Sequence, residues 1–313
     1  MRKKLWLLFK ISFSIALILF LLQRVNIDEL KGNLVEANSR YIFWAVIVCF
    51  IAWAIASYKW LILLKALGKE THFFTLLGLN FIGLFYGLFL PGHISGEVLK
   101  GVKLSKNIQN GTSAVVSIMI DRLTGLFVLI LFALCGIIFT TKDYYLLPFL
   151  IVSLIIFPFF GLIFLNRDLS SLVGKTGRKI LGKGRAGNFI APFWRSLKNY
   201  QEKTPQLLLA IFLGVLFHIL VVAFNYLVCI SLNINLSFLA LIWIVTVVYL
   251  VQLLPISISG IGVREGAYIF LFGQHGISAS RAFSFSIIIF SVIIFLGILG
   301  GMIELLSSFK KDV

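Results

Sequence analysis

Apolar residues fill long runs along this chain, separated by short polar stretches. The runs 5–22, 41–64, 112–139, 145–165, 205–230 and 283–307 are nearly free of charge. Each is long enough to cross the roughly 30 Å hydrocarbon core of a bilayer as a helix. Two further apolar runs, 72–90 and 238–254, end instead at a break in the pattern. The first break reads Pro91-Gly92-His93-Ile94-Ser95-Gly96-Glu97-Val98-Leu99-Lys100. The second reads Pro255-Ile256-Ser257-Ile258-Ser259-Gly260-Ile261-Gly262-Val263-Arg264-Glu265-Gly266. Both follow a leucine, share Pro-x-x-Ile-Ser-Gly, and place a basic residue at one offset, Lys100 matching Arg264. Hydrocarbon offers no water to an unpaired backbone group, so such a break belongs against protein or a water-filled cavity. Paired interruptions in two halves point to a transporter's central site.

The pattern predicts an all-α polytopic membrane protein with about six full transmembrane helices plus two re-entrant or broken helices. Arg2-Lys3-Lys4 precede the first run, and no small-x-small cleavage site follows it, which predicts a retained helix with a cytoplasmic N-terminus. The stretch 23–40 balances Arg24, Lys31 and Arg40 against Asp28, Glu29 and Glu36, which suits an outer loop. Run 41–64 then returns inward, with Lys59, Lys65 and Lys69 expected to snorkel at the cytoplasmic end. A full crossing by 72–90 would leave Lys100, Lys103 and Lys106 outside, whereas a re-entrant course keeps them in the cytoplasm. Loop 166–204 holds nine basic residues against Asp168 and Glu202 and is likewise expected inside, as is the C-terminus with Lys310-Lys311. The accounting gives a single membrane domain, 1–313, built as an inverted repeat of halves 1–144 and 145–313.

Composition sharpens this picture. The chain is 60% hydrophobic and 13% charged, with a mean hydropathy of +1.03, values no soluble domain reaches. Its net charge of +16 does not read as nucleic-acid binding, because the basic residues sit between apolar runs. Positive-inside topology and anionic lipid headgroups account for them. Cys49, Cys135 and Cys229 lie inside apolar runs with no paired spacing, and read as small buried hydrophobes. The histidines His72, His93, His218 and His275 show no metal-ligand spacing.

The breaks carry the candidate chemistry. Residues 260–272 read as a half-helix that Ser259 would cap, accepting a first-turn N–H. Gly260 and Gly262 permit close approach of backbone to a ligand, and Arg264 offers a fork of donors matched to phosphate oxygens. Glu265 balances that charge. In the first break Ser95 caps, Glu97 stands in the first turn and Lys100 supplies the cation. Asp121-Arg122 interrupts run 112–139. Arg122 is expected to pair with Glu97 or Glu265, and Asp121 with Lys100 or Arg264. These residues together form the candidate substrate site. The two breaks are expected to face one another and cradle a phosphate-bearing headgroup at mid-bilayer, with no catalytic residue, metal or cofactor assigned.

These pieces resemble the flippase-like membrane proteins related to the transmembrane domain of lysylphosphatidylglycerol synthase. The resemblance rests on Pro91 to Glu97 with Lys100, on Ile120-Asp121-Arg122-Leu123, and above all on the Gly-x-Gly-Val-Arg-Glu-Gly ending at Gly266. Family members often carry Gly-Gly-Asp and Arg in the first break, where this chain has Ser-Gly-Glu and Lys. The resemblance implies a flippase or scramblase in a bacterial or archaeal cytoplasmic membrane. It would move an anionic phospholipid or a polyprenyl-phosphate-linked lipid between leaflets, without being an enzyme. The alternative is an integral membrane enzyme acting on a lipid phosphate, for which Glu97, Asp121 and Glu265 form a thin set of acids. No Gly-x-x-x-x-Gly-Lys-[Ser/Thr] phosphate loop occurs in the chain, so the expected driving force is an ion or lipid gradient.

Overall fold

The computed structural model describes residues 12, 14–89, 94–140, 200, 203–253, 257 and 259–309. Every regular element among them is a helix. They are α1 (residues 14–22), α2 (Ile27–Glu36), α3 (Ser39–Ala66), α4 (Phe73–Phe89) and α5 (Ile94–Asn107), followed by α6 (Gly111–Thr140). The second part holds α7 (Thr204–Ser231), α8 (Phe238–Gln252), α9 (Val263–Gly273) and α10 (Ala279–Phe309).

Four helices are long and apolar enough to cross a bilayer: Ser39–Ala66, Gly111–Gly136, Thr204–Ser231 and Ala279–Ser307. They correspond to four of the six expected spans. Run 5–22 is described only in part, and run 145–165 and most of loop 166–204 lie outside the described residues, as do Pro91-Gly92-His93 and Lys310-Lys311. The expected outer loop 23–40 instead contains α2. Asn26 starts this helix, its Oδ1 accepting the N–H groups of Asp28 at 3.0 Å and Glu29 at 3.2 Å. Leu30 then packs with Leu21, Val25 and Phe283, so a stretch of neutral charge has the apolar spacing of a surface helix.

Helix length separates spans from half-helices. At 1.5 Å per residue the 17 residues of α4 reach about 25 Å, and the 15 of α8 about 22 Å. The 15 residues of α8 fall short of the roughly 30 Å core, whereas residues 90–93, directly after α4, lie outside the described residues. The next helix is shorter in each case, the 14-residue α5 or the 11-residue α9. The order long span, shorter apolar helix, short helix, long span therefore occurs twice.

Packing repeats in the same way. The first spans of the two sets, α3 and α7, lie against each other along much of their length. Several other contacts come in corresponding pairs: α4 packs on α10 as α8 packs on α6, and α5 on α6 as α9 on α10. Two glycines make the crossed contacts close. A Cβ on Gly300 would stand 2.0 Å from the Phe81 carbonyl oxygen, and one on Gly136 would stand 2.8 Å from Trp243 Cβ. The spacing from Gly136 to Gly300 equals that from Pro91 to Pro255 and from Lys100 to Arg264. Small residues let helix backbones approach where lipid provides no hydrophobic drive for association. The core centres on α7, α8, α9 and α10, where Tyr268, Phe272 and Phe285 pack ring against ring. Cys49 and Cys229 are buried as expected, but Cys135 faces outward, because a lipid-facing surface accepts a small apolar side chain as readily as a core does.

Candidate functional site

Two polar clusters interrupt the apolar interior, one behind each break. The first is assembled by four helices. From α5, Glu97 places one carboxylate oxygen 2.7 Å from Lys100 Nζ, three residues on and one helical turn along. Its other oxygen accepts from the Arg122 guanidinium of α6. Lys100 is 4% exposed. It also donates to Asn80 Oδ1 of α4 at 3.2 Å, and lies 4.7 Å from the centre of the Trp60 ring of α3. Asn80 in turn donates to Ser57 Oγ at 2.9 Å, and Trp60 Nε1 donates to Ser117 Oγ at 3.1 Å. Beside this network Lys59 of α3 stands 2.9 Å from Asp121 Oδ1 and donates to the Asp121 carbonyl at 3.2 Å. Each buried cation thus has a carboxylate, a polar atom or a ring face, as burial of charge requires.

The second cluster is smaller. Ser259, Gly260 and Gly262 all have positive φ, at 51°, 75° and 84°, and this turn delivers the chain into α9. The Gly262 N–H donates to Glu265 Oε2 at 2.6 Å, so the carboxylate satisfies a free donor at the helix start. The other oxygen of Glu265 accepts from the Arg264 guanidinium and, at 3.0 Å, from Ser286 Oγ of α10. Arg264 Nε lies 2.9 Å from Ser286 Oγ, and the guanidinium sits 4.4 Å from the centre of the Phe290 ring. Arg264 and Glu265 are 3% and 5% exposed.

Nine of the ten residues singled out from the sequence fall into these two groups. Glu97, Lys100, Asp121 and Arg122 meet in the first. Gly260, Gly262, Arg264 and Glu265 form the second, with Ser259 at its turn. Ser259 does not cap α9. Its own φ is in the left-handed region, and the N-cap is Gly262, three residues later. Ser95 stands inside the first turn of α5, which begins at Ile94. Arg122 pairs with Glu97 as expected, but Asp121 takes Lys59 rather than Lys100 or Arg264. Lys59 itself does not snorkel; it is 6% exposed. Among the described residues no hydrogen bond or ion pair joins the two clusters.

Reasoning from the sequence missed Lys59, Asn80 and Ser286. Asn80 was detectable as an isolated amide within run 72–90, and Lys59 as a charge inside run 41–64 that balances Asp121. Ser286 gave no signal, since a serine in a transmembrane helix commonly bonds its own backbone.

The TM region of lysylphosphatidylglycerol synthase matches residues 7–301, almost the whole chain and both clusters. The chain belongs to that family. A UPF0104 membrane protein of Methanocaldococcus jannaschii is 27% identical over 290 residues, which is 86% of this chain and 85% of that protein. No solved structure matches the chain. Family membership and the four apolar spans make this an integral membrane protein.

Proposed function

We propose that this family member moves an anionic, phosphate-bearing lipid or lipid-linked precursor between leaflets, with its two polar clusters as the headgroup path. The observation that carries the reading is the placing of Lys100 and Arg264. Each is a buried cation on the short helix after a break, at the same offset from its proline, and each is held by a carboxylate of its own first turn. A headgroup phosphate could take over the cation's donors while the carboxylate keeps its remaining partner. Lipid tails need no help in hydrocarbon; the headgroup charge does. Lys59, Lys100 and Arg122 face Glu97 and Asp121, three cations to two carboxylates, so the first cluster favours an anion. The Arg122 side chain, 55% exposed, is the accessible member.

The recurring order of elements and the crossed packing of α4 on α10 and α8 on α6 support an inverted repeat of halves 1–144 and 145–313. In that architecture both termini are cytoplasmic, and rocking of one half against the other exposes a central site alternately. Reconstitution in liposomes carrying a fluorescent anionic lipid tests the proposal, with dithionite bleaching of the outer leaflet as readout. Faster flip of the anionic lipid than of a zwitterionic one is expected. Equal, protein-independent rates for both would overturn the proposal.

A further inference from the structure

A second polar surface lies away from both clusters. The turn joining α3 to α4 and the end of α5 border a half-open surface recess of about 740 Å³ lined by Lys65, Lys69, Glu70, His72 and Asn107. Thr71 Oγ1 donates to Asn107 Oδ1 at 3.1 Å, which ties the turn to α5. Lys59, Lys100 and Lys103 all have carboxylate partners, yet Lys65 and Lys69 have none among the described residues. Lys65 and His72 are exposed. Two lysines against Glu70 leave the recess net positive. It sits at the end of the apolar span Ser39–Ala66, where a bilayer surface meets the protein. Beside it Phe74 is 79% exposed in the first turn of α4, an aromatic ring suited to the headgroup boundary.

The other half carries a counterpart. A recess of about 350 Å³ lies between the α7–α8 turn and the chain beyond α9, lined by Glu29, Asn233, Asn235, His275 and Arg281 among others. The offset that matches Pro91 with Pro255 also matches Lys69 with Asn233 and Thr71 with Asn235. Here Arg281 is offset by Glu29, so the counterpart is balanced in charge. The two recesses share an equivalent turn but differ in electrostatics, one cationic and one neutral.

We infer that the recess around Lys65 and Lys69 is a docking pocket for the phosphate of a membrane lipid headgroup. It collects the anionic lipid before the headgroup reaches Arg122 and Lys100. The pocket deepens the transport reading by adding a loading place, and its neutral counterpart holds the same headgroup less firmly. A basic side chain near an anionic lipid surface strengthens binding about fivefold.

The test uses the full chain with Cys135→Ser and Gln109→Cys, the latter labelled with bimane near the pocket, in phosphatidylcholine nanodiscs. Quenching is compared between doxyl-labelled phosphatidic acid and doxyl-labelled phosphatidylcholine. Phosphatidic acid is expected to quench preferentially, and the preference to fall about fivefold in Lys65→Gln or Lys69→Gln, more in the double variant. Equal quenching by the two lipids, or a preference that survives the double substitution, overturns the inference. Protection by inorganic phosphate without any preference between lipids assigns the pocket to free phosphate and overturns the lipid reading. Arg122→Gln is expected to keep the docking preference while slowing translocation, so failure of the pocket and failure of the transport site give different results.

Discussion

Replacing Lys59 by methionine tests whether the first cluster is a set of matched charges. The lysine is 6% exposed, and its Nζ reaches both the Asp121 carboxylate at 2.9 Å and the Asp121 carbonyl at 3.2 Å. Methionine keeps the volume of the stem and removes the charge, leaving Asp121 with a side chain only 19% exposed. Removing one partner of a buried pair destabilises by about 3–5 kcal/mol. The partial exposure of Asp121 lets water reach it, which places Lys59→Met near the low end, about 3 kcal/mol. Asp121→Leu strands the more deeply buried ammonium and should destabilise by a similar amount or slightly more. The double variant removes both charges and should lie within about 1–2 kcal/mol of wild type, since apolar replacement of a buried pair is often neutral. The assay is unfolding in dodecyl maltoside with increasing dodecyl sulfate, followed by tryptophan fluorescence. Additivity of the two single effects, to within about 0.5 kcal/mol, would refute the pairing.

Three further outcomes follow from the geometry. Gly300→Ala should destabilise by about 2–3 kcal/mol, because its Cβ would meet the Phe81 backbone at 2.0 Å and α4 must move away. Gly136→Ala, which meets the Trp243 side chain at 2.8 Å, should be the milder of the pair in the same assay. Gly262→Ala forces an L-residue to φ 84° and ψ −52° and brings its Cβ to 3.1 Å from Leu17 Cδ2; it should destabilise by about 2–3 kcal/mol and lower the detergent melting temperature. Ser286→Ala takes one hydrogen-bond partner from both Arg264 and Glu265. It should reduce stability by about 1–2 kcal/mol, whereas Ser291→Ala, whose hydroxyl bonds only its own helix, should be neutral.

Much of this organisation was legible in the sequence, because hydrocarbon imposes a simple code. Spans must be long and apolar, so runs 41–64, 112–139, 205–230 and 283–307 located four helices to within a few residues. Breaks must be satisfied by protein, so Pro91 and Pro255 marked the short helices that carry Glu97, Lys100, Arg264 and Glu265. Partnership was harder to read. Charge alone offered Asp121 two cations, and only helix packing brings it to Lys59, which position in its run had assigned to the surface. Capping failed for a local reason. Ser259 looks like a cap by residue type, but the turn through Gly260 and Gly262 delays the helix start to Val263. The crossed packing of α4 on α10 and α8 on α6 has no signature in any one run, since Gly136 and Gly300 become meaningful only when set against Trp243 and Phe81.

The central claim is that one buried cation in each half handles a lipid phosphate. It is tested most directly by comparing translocation of a fluorescent anionic lipid by wild type, Lys100→Gln, Arg264→Gln and the surface control Lys31→Gln. All four proteins are first shown by size exclusion to be folded, and the inserted amounts are matched. A charge-assisted bond to phosphate is worth about 1.5–3 kcal/mol, so each cluster variant should slow translocation about tenfold or more while Lys31→Gln keeps the wild-type rate. Wild-type rates in either cluster variant would contradict the claim, as would a wild type that leaves the lipid in place but converts it to a new product.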